Sequence, residues 1–292
     1  MPVSLPLLDG KTTQAIIDQY WADGYLFPID VYDANEAAEY RAEFEKMEAK
    51  WLDNGLPLPL ATYKRVGSNI VMPLADHIAH HPGILDVVEG VLGPDIMVYS
   101  AEFFIKEPRT THIVSMHQDL TYWGLGAIDG LVTVWAPLSP ATRASGCMDF
   151  VRGSHTNAIL EHEDTFDKNN MLSRGQEVKV DVKDEDKTAI ELQPGQISLH
   201  HGLTIHGSGP NTSDDRRIAC VIRYIRPDMA QQSGRADYAT LARGEDRFGN
   251  FRPVRRPQEY FEPDALDLYE EIREAQRQNT MNDAKGTTEM YS

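Results

Sequence analysis

Ile96-Met97-Val98-Tyr99-Ser100-Ala101-Glu102-Phe103-Phe104-Ile105-Lys106 marks a change of texture in the chain. β-Branched and aromatic residues dominate it, which predicts a strand. Residues 131–138, 147–151, 188–192, 196–200 and 217–226 share this character, and all are bounded by Gly, Pro, Ser or Asp. Many short strands separated by turn residues point to an antiparallel sandwich or barrel, not a parallel α/β sheet. The polar stretch 154–176 interrupts them and reads as a long functional loop.

Upstream, the pattern is helical. Thr12 can cap a helix over residues 12–23, where Ala15, Ile16, Gln19 and Tyr20 keep helical spacing until Gly24. Asp33 can cap a second helix over 34–51, with Glu36 at the capping-box position. Its apolar stripe is Ala37, Tyr40, Phe44, Met47 and Trp51. Residues 74–92 hold two short helices broken at Pro82-Gly83, and residues 263–278 read as helix again. The expected organisation is one domain over 1–292, mainly β with peripheral α-helices. Its parts are a helical segment (1–95), a β core (96–228) and a C-terminal extension (229–292).

The chain carries 28 basic and 45 acidic side chains, a net charge of -17. Such a surface repels nucleic acid and anionic lipid, so neither is expected as a partner. No window approaches the roughly 20 apolar residues of a membrane span. Met1-Pro2-Val3-Ser4-Leu5-Pro6-Leu7-Leu8-Asp9 lacks the basic and apolar regions of a secretory signal. Cys147 and Cys220 are too few and too far apart for a disulfide framework or a zinc ribbon. That fits a reducing compartment, so a cytoplasmic location is expected. Without a signal, the sequon Asn211-Thr212-Ser213 reads as chance.

Metal-ligand chemistry enters at Ser115-Met116-His117-Gln118-Asp119, in or just after a strand. Side chains two apart on a strand share a face, so His117 and Asp119 can reach one ion while Gln118 points away. A third ligand must come from another strand. His77, His80 and His81 lie in the helical region, and His155 and His162 in the polar loop. Of His200, His201 and His206, the last opens the turn Gly207-Ser208-Gly209-Pro210-Asn211, where a ligand at a strand end is useful. Two imidazoles and one carboxylate leave open positions on an ion, as suits iron(II) with an oxidant and a co-substrate. Zinc sites use the same donors, and spacing alone leaves iron and another metal evenly matched.

Downstream, Arg217 opens the strand Ile218-Ala219-Cys220-Val221-Ile222-Arg223-Tyr224. If odd positions face inward, Arg217, Ala219 and Val221 do so and Arg216 faces out. An inward Arg needs an anionic partner, and a small dicarboxylate supplies one with fork geometry. A salt bridge to a neighbouring strand would serve as well, and a one-residue slip would exchange Arg217 for Arg216.

Several segments together resemble one known family, the phytanoyl-CoA dioxygenase family of iron(II)- and 2-oxoglutarate-dependent oxygenases. They are Asp23-Gly24-Tyr25-Leu26, His117-Gln118-Asp119-Leu120, Trp135, Ser145-Gly146-Cys147, Gly153-Ser154-His155, His206 to Asn211, and Arg217. The likeness covers most of residues 15–226. It implies a double-stranded β-helix, a cupin-like jelly-roll barrel with helices outside. It implies Fe(II) on His117, Asp119 and His206, with 2-oxoglutarate and O2 as co-substrates. Arg217 then matches the partner of the distal carboxylate, and Trp135 and Ser208 match positions near that co-substrate. Halogenating relatives have a small residue where Asp119 stands. The likeness therefore implies oxygenation, usually hydroxylation, with release of succinate and CO2.

Candidates for a substrate pocket are Lys106, His112, Tyr122, Trp123 and Arg174. Tyr122 and Trp123 can equally be core aromatics, and Arg174 a solvated loop charge. His200 or His201 can support a metal ligand or be a plain strand residue, and the plain reading is preferred. The expected substrate is a small, anionic metabolite; the sequence carries no signal for oligomeric state. The competing readings are a non-oxidative metal-dependent enzyme and a catalytically silent binding protein on the same barrel.

Overall fold

The computed structural model describes residues 3–121, 123–125, 129–165, 167, 169–172 and 175–280. Seven α-helices occur among them: α1 (Gln14–Asp23), α2 (Ala34–Trp51), α3 (Leu60–Arg65), α4 (Ser68–Val71), α5 (Pro73–Ala79), α6 (Pro82–Leu92) and α7 (Pro263–Thr280). The strands are β1 (Tyr25–Asp30), β2 (Ile96–Lys106), β3 (Val114–His117), β4 (Leu131–Pro137), β5 (Met148–Val151), β6 (His162–Asp164), β7 (Gln176–Val178), β8 (Lys187–Ile190), β9 (Gln196–His201), β10 (His206–Ser208), β11 (Arg217–Ile225), β12 (Tyr238–Arg243) and β13 (Arg252–Pro253).

The strands form a large sheet in the order β1-β9-β4-β11-β2-β12-β13, a smaller one in the order β3-β10-β5-β8, and the ribbon β6-β7. The first two are the faces of a jelly roll. Among the described residues no strand ladder joins their edges, so the expected closed barrel is instead an open pair of sheets.

Alternation along β11 defines the layers. Ile218, Cys220, Ile222 and Tyr224 join a core that includes residues from α1, α2, α5, α6 and α7. Ala219 and Val221 face the other way and meet Met148, Phe150 and Ile190 of the small sheet. The large sheet is thus covered by helices on one face and by the small sheet on the other, so both faces must be apolar.

Helix starts follow local chemistry. The carboxylate of Asp33 accepts from the backbone N–H groups of Asn35 and Glu36, capping α2. Glu36 does not complete a capping box; its carboxylate takes the hydroxyl of Tyr40. Pro82 occupies the first turn of α6, where a missing N–H costs nothing. Thr13, not Thr12, caps α1. Sequence reading missed β1 because Pro28 demotes it; as the edge strand of the large sheet it tolerates a proline.

Gly24 ends α1 with φ 84° and turns the chain into β1. A Cβ there would stand 2.5 Å from His155 Nδ1 and 2.8 Å from Thr204 Oγ1. Thr204 in turn donates to the Gly24 carbonyl at 2.8 Å. The segment before His206 is therefore docked on this turn. Gly24→Ala is expected to destabilise the protein by at least about 2 kcal/mol, because it adds both left-handed strain and a clash; urea unfolding monitored by circular dichroism measures it.

Candidate metal centre

His117 is the last residue of β3 and His206 the first of β10, and the two are register partners. Asp119 does not lie on the strand. It opens a 3-10 turn after β3, so the turn, not strand alternation, brings it beside His117. The side chains of His117, Asp119 and His206 are buried, and one donor atom from each lies within 4.8 Å of the others. Among the described residues this is the one such group of three.

Each imidazole is oriented by its backbone. Nδ1 of His117 lies 2.9 Å from the Ser115 carbonyl, and Nδ1 of His206 lies 2.9 Å from the Thr204 carbonyl. A carbonyl accepts only, so each Nδ1 carries the proton and each Nε2 keeps its lone pair. Those Nε2 atoms lie 3.5 Å and 3.7 Å from Asp119 Oδ1. Burial depresses the pKa of His206 well below the ordinary value, and the neighbouring His117 and His200 add to it. Burial opposes ionisation of Asp119, but His206, His117, His200 and Arg223 outweigh it, so its pKa falls well below the carboxylate range. Two imidazoles with Nε2 turned to the site and an ionised carboxylate are the donor set a divalent cation requires.

The second carboxylate oxygen is also claimed. Asp119 Oδ2 accepts from Thr133 Oγ1 at 2.8 Å and lies 3.3 Å from His200 Nε2. Thr133 and His200 are register partners on β4 and β9 of the large sheet. His200 is therefore not a plain strand residue, and Thr133 escaped sequence reading altogether because an inward Thr in an apolar strand gives no distinguishing signal. His201 keeps its structural reading, with Nε2 on Asp129 and Nδ1 accepting from Leu203 N–H. Gln118 points away from the triad, as expected. Its amide is nonetheless a buried tie, donating to the Leu203 carbonyl and accepting from Leu160 N–H.

One cavity holds the triad and runs between the sheets. Arg217 lines it, fully buried, with its guanidinium 5.3 Å from the Trp135 ring and Nη1 donating to the Gly146 carbonyl at 2.5 Å. Burial lowers its pKa only to about 10, so it stays charged at neutral pH. Gly146 is required there: at φ 72°, a Cβ would meet the Gly209 and Pro210 carbonyls at 2.5 and 2.6 Å. Arg216 points outward to Glu48 and Glu107. Ser208 and Trp135 also line the cavity.

The pocket candidates divide. Trp123 lines the cavity; Tyr122 and Arg174 lie outside the described residues. His112 is exposed and away from the cavity wall. Lys106 is buried behind Ser208, donating to its Oγ at 2.7 Å and to the carbonyls of Ser208 and Gly209, so it buttresses the wall and is not part of its lining. Burial and the adjacent Arg217 lower its pKa to about 6. Asn211 donates to the Lys106 and Asp215 carbonyls and is buried.

With this geometry in view, the sequence profile of the phytanoyl-CoA dioxygenase (PhyH) family matches residues 20–219. The chain belongs to that family. A probable phytanoyl-CoA dioxygenase of Caenorhabditis elegans is 27% identical over 165 residues, 54% of this chain and 53% of the nematode protein. The chain thus spans about half the length of that relative. The 1-deoxypentalenic acid 11-beta-hydroxylase of Streptomyces arenae is 27% identical over 72% of this chain and 78% of its own. Among solved structures, the non-heme monooxygenase ThoJ superposes with a TM-score of 0.82 at 32% identity, covering 91% of this chain and 98% of ThoJ. ThoJ has also been solved as a nickel complex.

Two outcomes are expected. Thr133→Val leaves the three donor side chains intact but frees Asp119 Oδ2, and should weaken divalent-metal affinity about 10-fold by titration against a chelator. Lys106 holds a proton in the unfolded chain that the fold rejects between about pH 6 and the ordinary lysine value. Unfolded chains then bind more protons, so stability rises with pH across that window. Lys106→Met should remove up to about 1.4 kcal/mol per pH unit of that slope in urea denaturation.

Proposed function

We propose that the chain is an Fe(II)- and 2-oxoglutarate-dependent dioxygenase, folded as one catalytic domain, that hydroxylates a C–H bond of a small, anionic metabolite with release of succinate and CO2. The observation that carries this is one cavity holding both a two-imidazole, one-carboxylate triad and a buried Arg217 that, among the described residues, bonds to the Gly146 carbonyl and to no carboxylate. Family membership and the hydroxylase and monooxygenase relatives support it. The retained carboxylate of Asp119 supports oxygenation over halogenation.

In this reading His117 Nε2, His206 Nε2 and Asp119 Oδ1 would hold the iron. Bound iron(II), with 2-oxoglutarate and O2 as co-substrates, supplies the oxidising chemistry. The protein's contribution is placement. Arg217 would take the distal carboxylate of 2-oxoglutarate by fork-to-fork hydrogen bonding, with the Trp135 ring beside it and Ser208 close by. Thr133 and His200 hold Asp119 through its far oxygen, which leaves the near one for the metal. Phe104, Val114, Met148, Leu172 and Val221 line the remaining wall and exclude water from the reacting atoms.

A zinc- or manganese-dependent hydrolase on this fold would have no use for Arg217 and would turn over without oxygen. Anaerobic protein given Fe(II) and 2-oxoglutarate should develop a weak visible charge-transfer band, and admission of air should yield succinate. Asp119→Ala should abolish the succinate. Arg217→Ala should raise the 2-oxoglutarate requirement about 100-fold, whereas Arg216→Ala should leave it within a few-fold. No band and no succinate under any condition would remove the main support for this reading.

A further inference from the structure

The chain after β11 lies beyond the family profile, which ends at residue 219. It nonetheless builds part of the cavity. Opposite Arg223 and Tyr224 of β11 stand Ser100 and Val98 of β2, so Tyr99 is an extra residue, a β-bulge. Tyr99 and Ser100 consequently both line the cavity. The Tyr99 hydroxyl donates to Asp237 Oδ2 at 2.8 Å. The side-chain amide of Gln231 donates to that same oxygen at 2.5 Å and to the Trp123 carbonyl at 2.7 Å. Both hydrogens of the amide nitrogen are thereby used. Asp237 Oδ1 accepts from the Tyr238 N–H at 2.9 Å. Asp237 and Gln231 are both buried.

What this network holds is Trp123. The Gln232 N–H donates to the Gly124 carbonyl at 2.9 Å, so two successive carbonyls are tied to residues 231 and 232. Gly124 has φ 63°, and a Cβ there would stand 2.9 Å from Gln231 Oε1. Trp123 lines the cavity and packs on a cluster that includes Tyr99, Met229 and Phe251. Its ring lies 4.8 Å from the guanidinium of Arg223, which pairs with Glu102 and helps to hold Asp119 ionised. In register across the large sheet, Ser100, Arg223, Thr133 and His200 form one row, and Thr133 and His200 are the residues that hold Asp119. Trp123 therefore stands on the triad's side of the cavity, at the opposite end of β11 from Arg217.

We propose that Gln231 and Asp237 are positioning residues of the site: they fix Trp123 as cavity wall beside the triad, and so set how far that end opens to substrate and water. That this end takes substrate rests on the oxygenase reading, which gives the Arg217 end to 2-oxoglutarate. The chemistry of the amide carries the argument. A carbonyl and a carboxylate only accept, so the group between them must present two donors from one atom. Gln does so. An ionised Glu cannot, and an apolar residue leaves both buried acceptors short of a donor. A network that served the fold alone could end on Asp237. Donation onward to the Trp123 carbonyl, and the glycine at 124 that admits Gln231, couple it to the wall.

Two readouts on the full chain test this. Acrylamide quenching of Trp123 emission, isolated in each background by subtracting the spectrum with W123F added, reports exposure of the ring. Succinate formed in air from Fe(II) and 2-oxoglutarate, with no other substrate, reports access to the reacting atoms. Q231L should raise the Trp123 quenching constant at least about 2-fold and leave the anaerobic Fe(II)–2-oxoglutarate absorption band in place. It should change succinate formation at least about 3-fold in the same direction as W123A, and Q231L/W123A should match W123A alone, because Gln231 acts through Trp123. Because Q231L leaves buried acceptors unpaired and can fail to fold, Q231E/D237N is the second variant. Exchanging amide and carboxylate restores the bond between 231 and 237 but leaves the Trp123 carbonyl against a carboxylate. Urea stability should therefore recover relative to Q231E while Trp123 stays quenchable. The proposal is overturned if Trp123 in either folded variant is quenched no more than in the parent, or if the effects of Q231L and W123A on succinate multiply. Absence of the absorption band in the parent sinks the oxygenase reading, and the quenching measurement then still decides this inference.

Discussion

Asp119 is the point at which two sheets with no shared strand meet. Its near oxygen faces His117 and His206 at the rim of the small sheet, and its far oxygen is held by Thr133 and His200 on the large sheet. A buried carboxylate is tolerated only when its oxygens are satisfied; here the far oxygen is satisfied from the large sheet, and the near one, facing two imidazole lone pairs of the small sheet, would be satisfied by a bound cation. The spacing between the sheets at the site is thereby tied to one ionised side chain. Everything else in the site is positioned against that spacing: the imidazoles, whose tautomers follow from two backbone carbonyls, and the inward face of β11.

The same logic governs the cations. Lys106 and Arg217 are register partners, both buried, and among the described residues neither bonds to a carboxylate. The fold meets this by lowering the lysine's proton affinity and by surrounding both groups with carbonyl oxygens of Gly146, Ser208 and Gly209. Carbonyl dipoles stabilise a cation without neutralising it, so a net positive site is left at one end of the cavity. The opposite end is built differently. There Arg223 is paired with the Glu102 carboxylate. One strand therefore carries two guanidinium groups with opposite electrostatic settings, separated by small apolar residues.

Much of this was legible in the sequence, for stated reasons. The strands of the core are continuous β-branched and aromatic runs, so β2, β4, β9 and β11 were recognised to within one or two residues. The alternation along β11 placed Arg217 inside and Arg216 outside, because a one-residue slip would have buried the wrong set. Other features left no local trace. β1 is masked by its proline, and the two- and three-residue strands β10 and β13 lack the length to show a period. Thr133, Glu102 and Arg223 acquire meaning only from register between strands distant in sequence, which composition cannot supply. His200 was misjudged for the same reason: its neighbour Asp119 is 81 residues away. Gly24 reads in the sequence only as a helix end and Gly146 only as part of the family likeness, yet both are demanded by close approaches that no side chain would permit.

The separation of the two cavity ends has a consequence for how such a site can diverge. The triad takes its residues from the small sheet's rim and the turn after it, whereas the Glu102–Arg223 pair belongs wholly to β2 and β11 of the large sheet. Those two strands are rigid, central and held by a nine-residue register. A charge exchanged at position 102 or 223 leaves the three donor side chains in place, although Arg223 also helps to hold the Asp119 carboxylate ionised. Specificity on this fold can therefore shift by side-chain replacement on a fixed sheet, with the loops free to set access. The residue that cannot change without disturbing both functions is Thr133, which stands between Arg223 in its row and the carboxylate it holds.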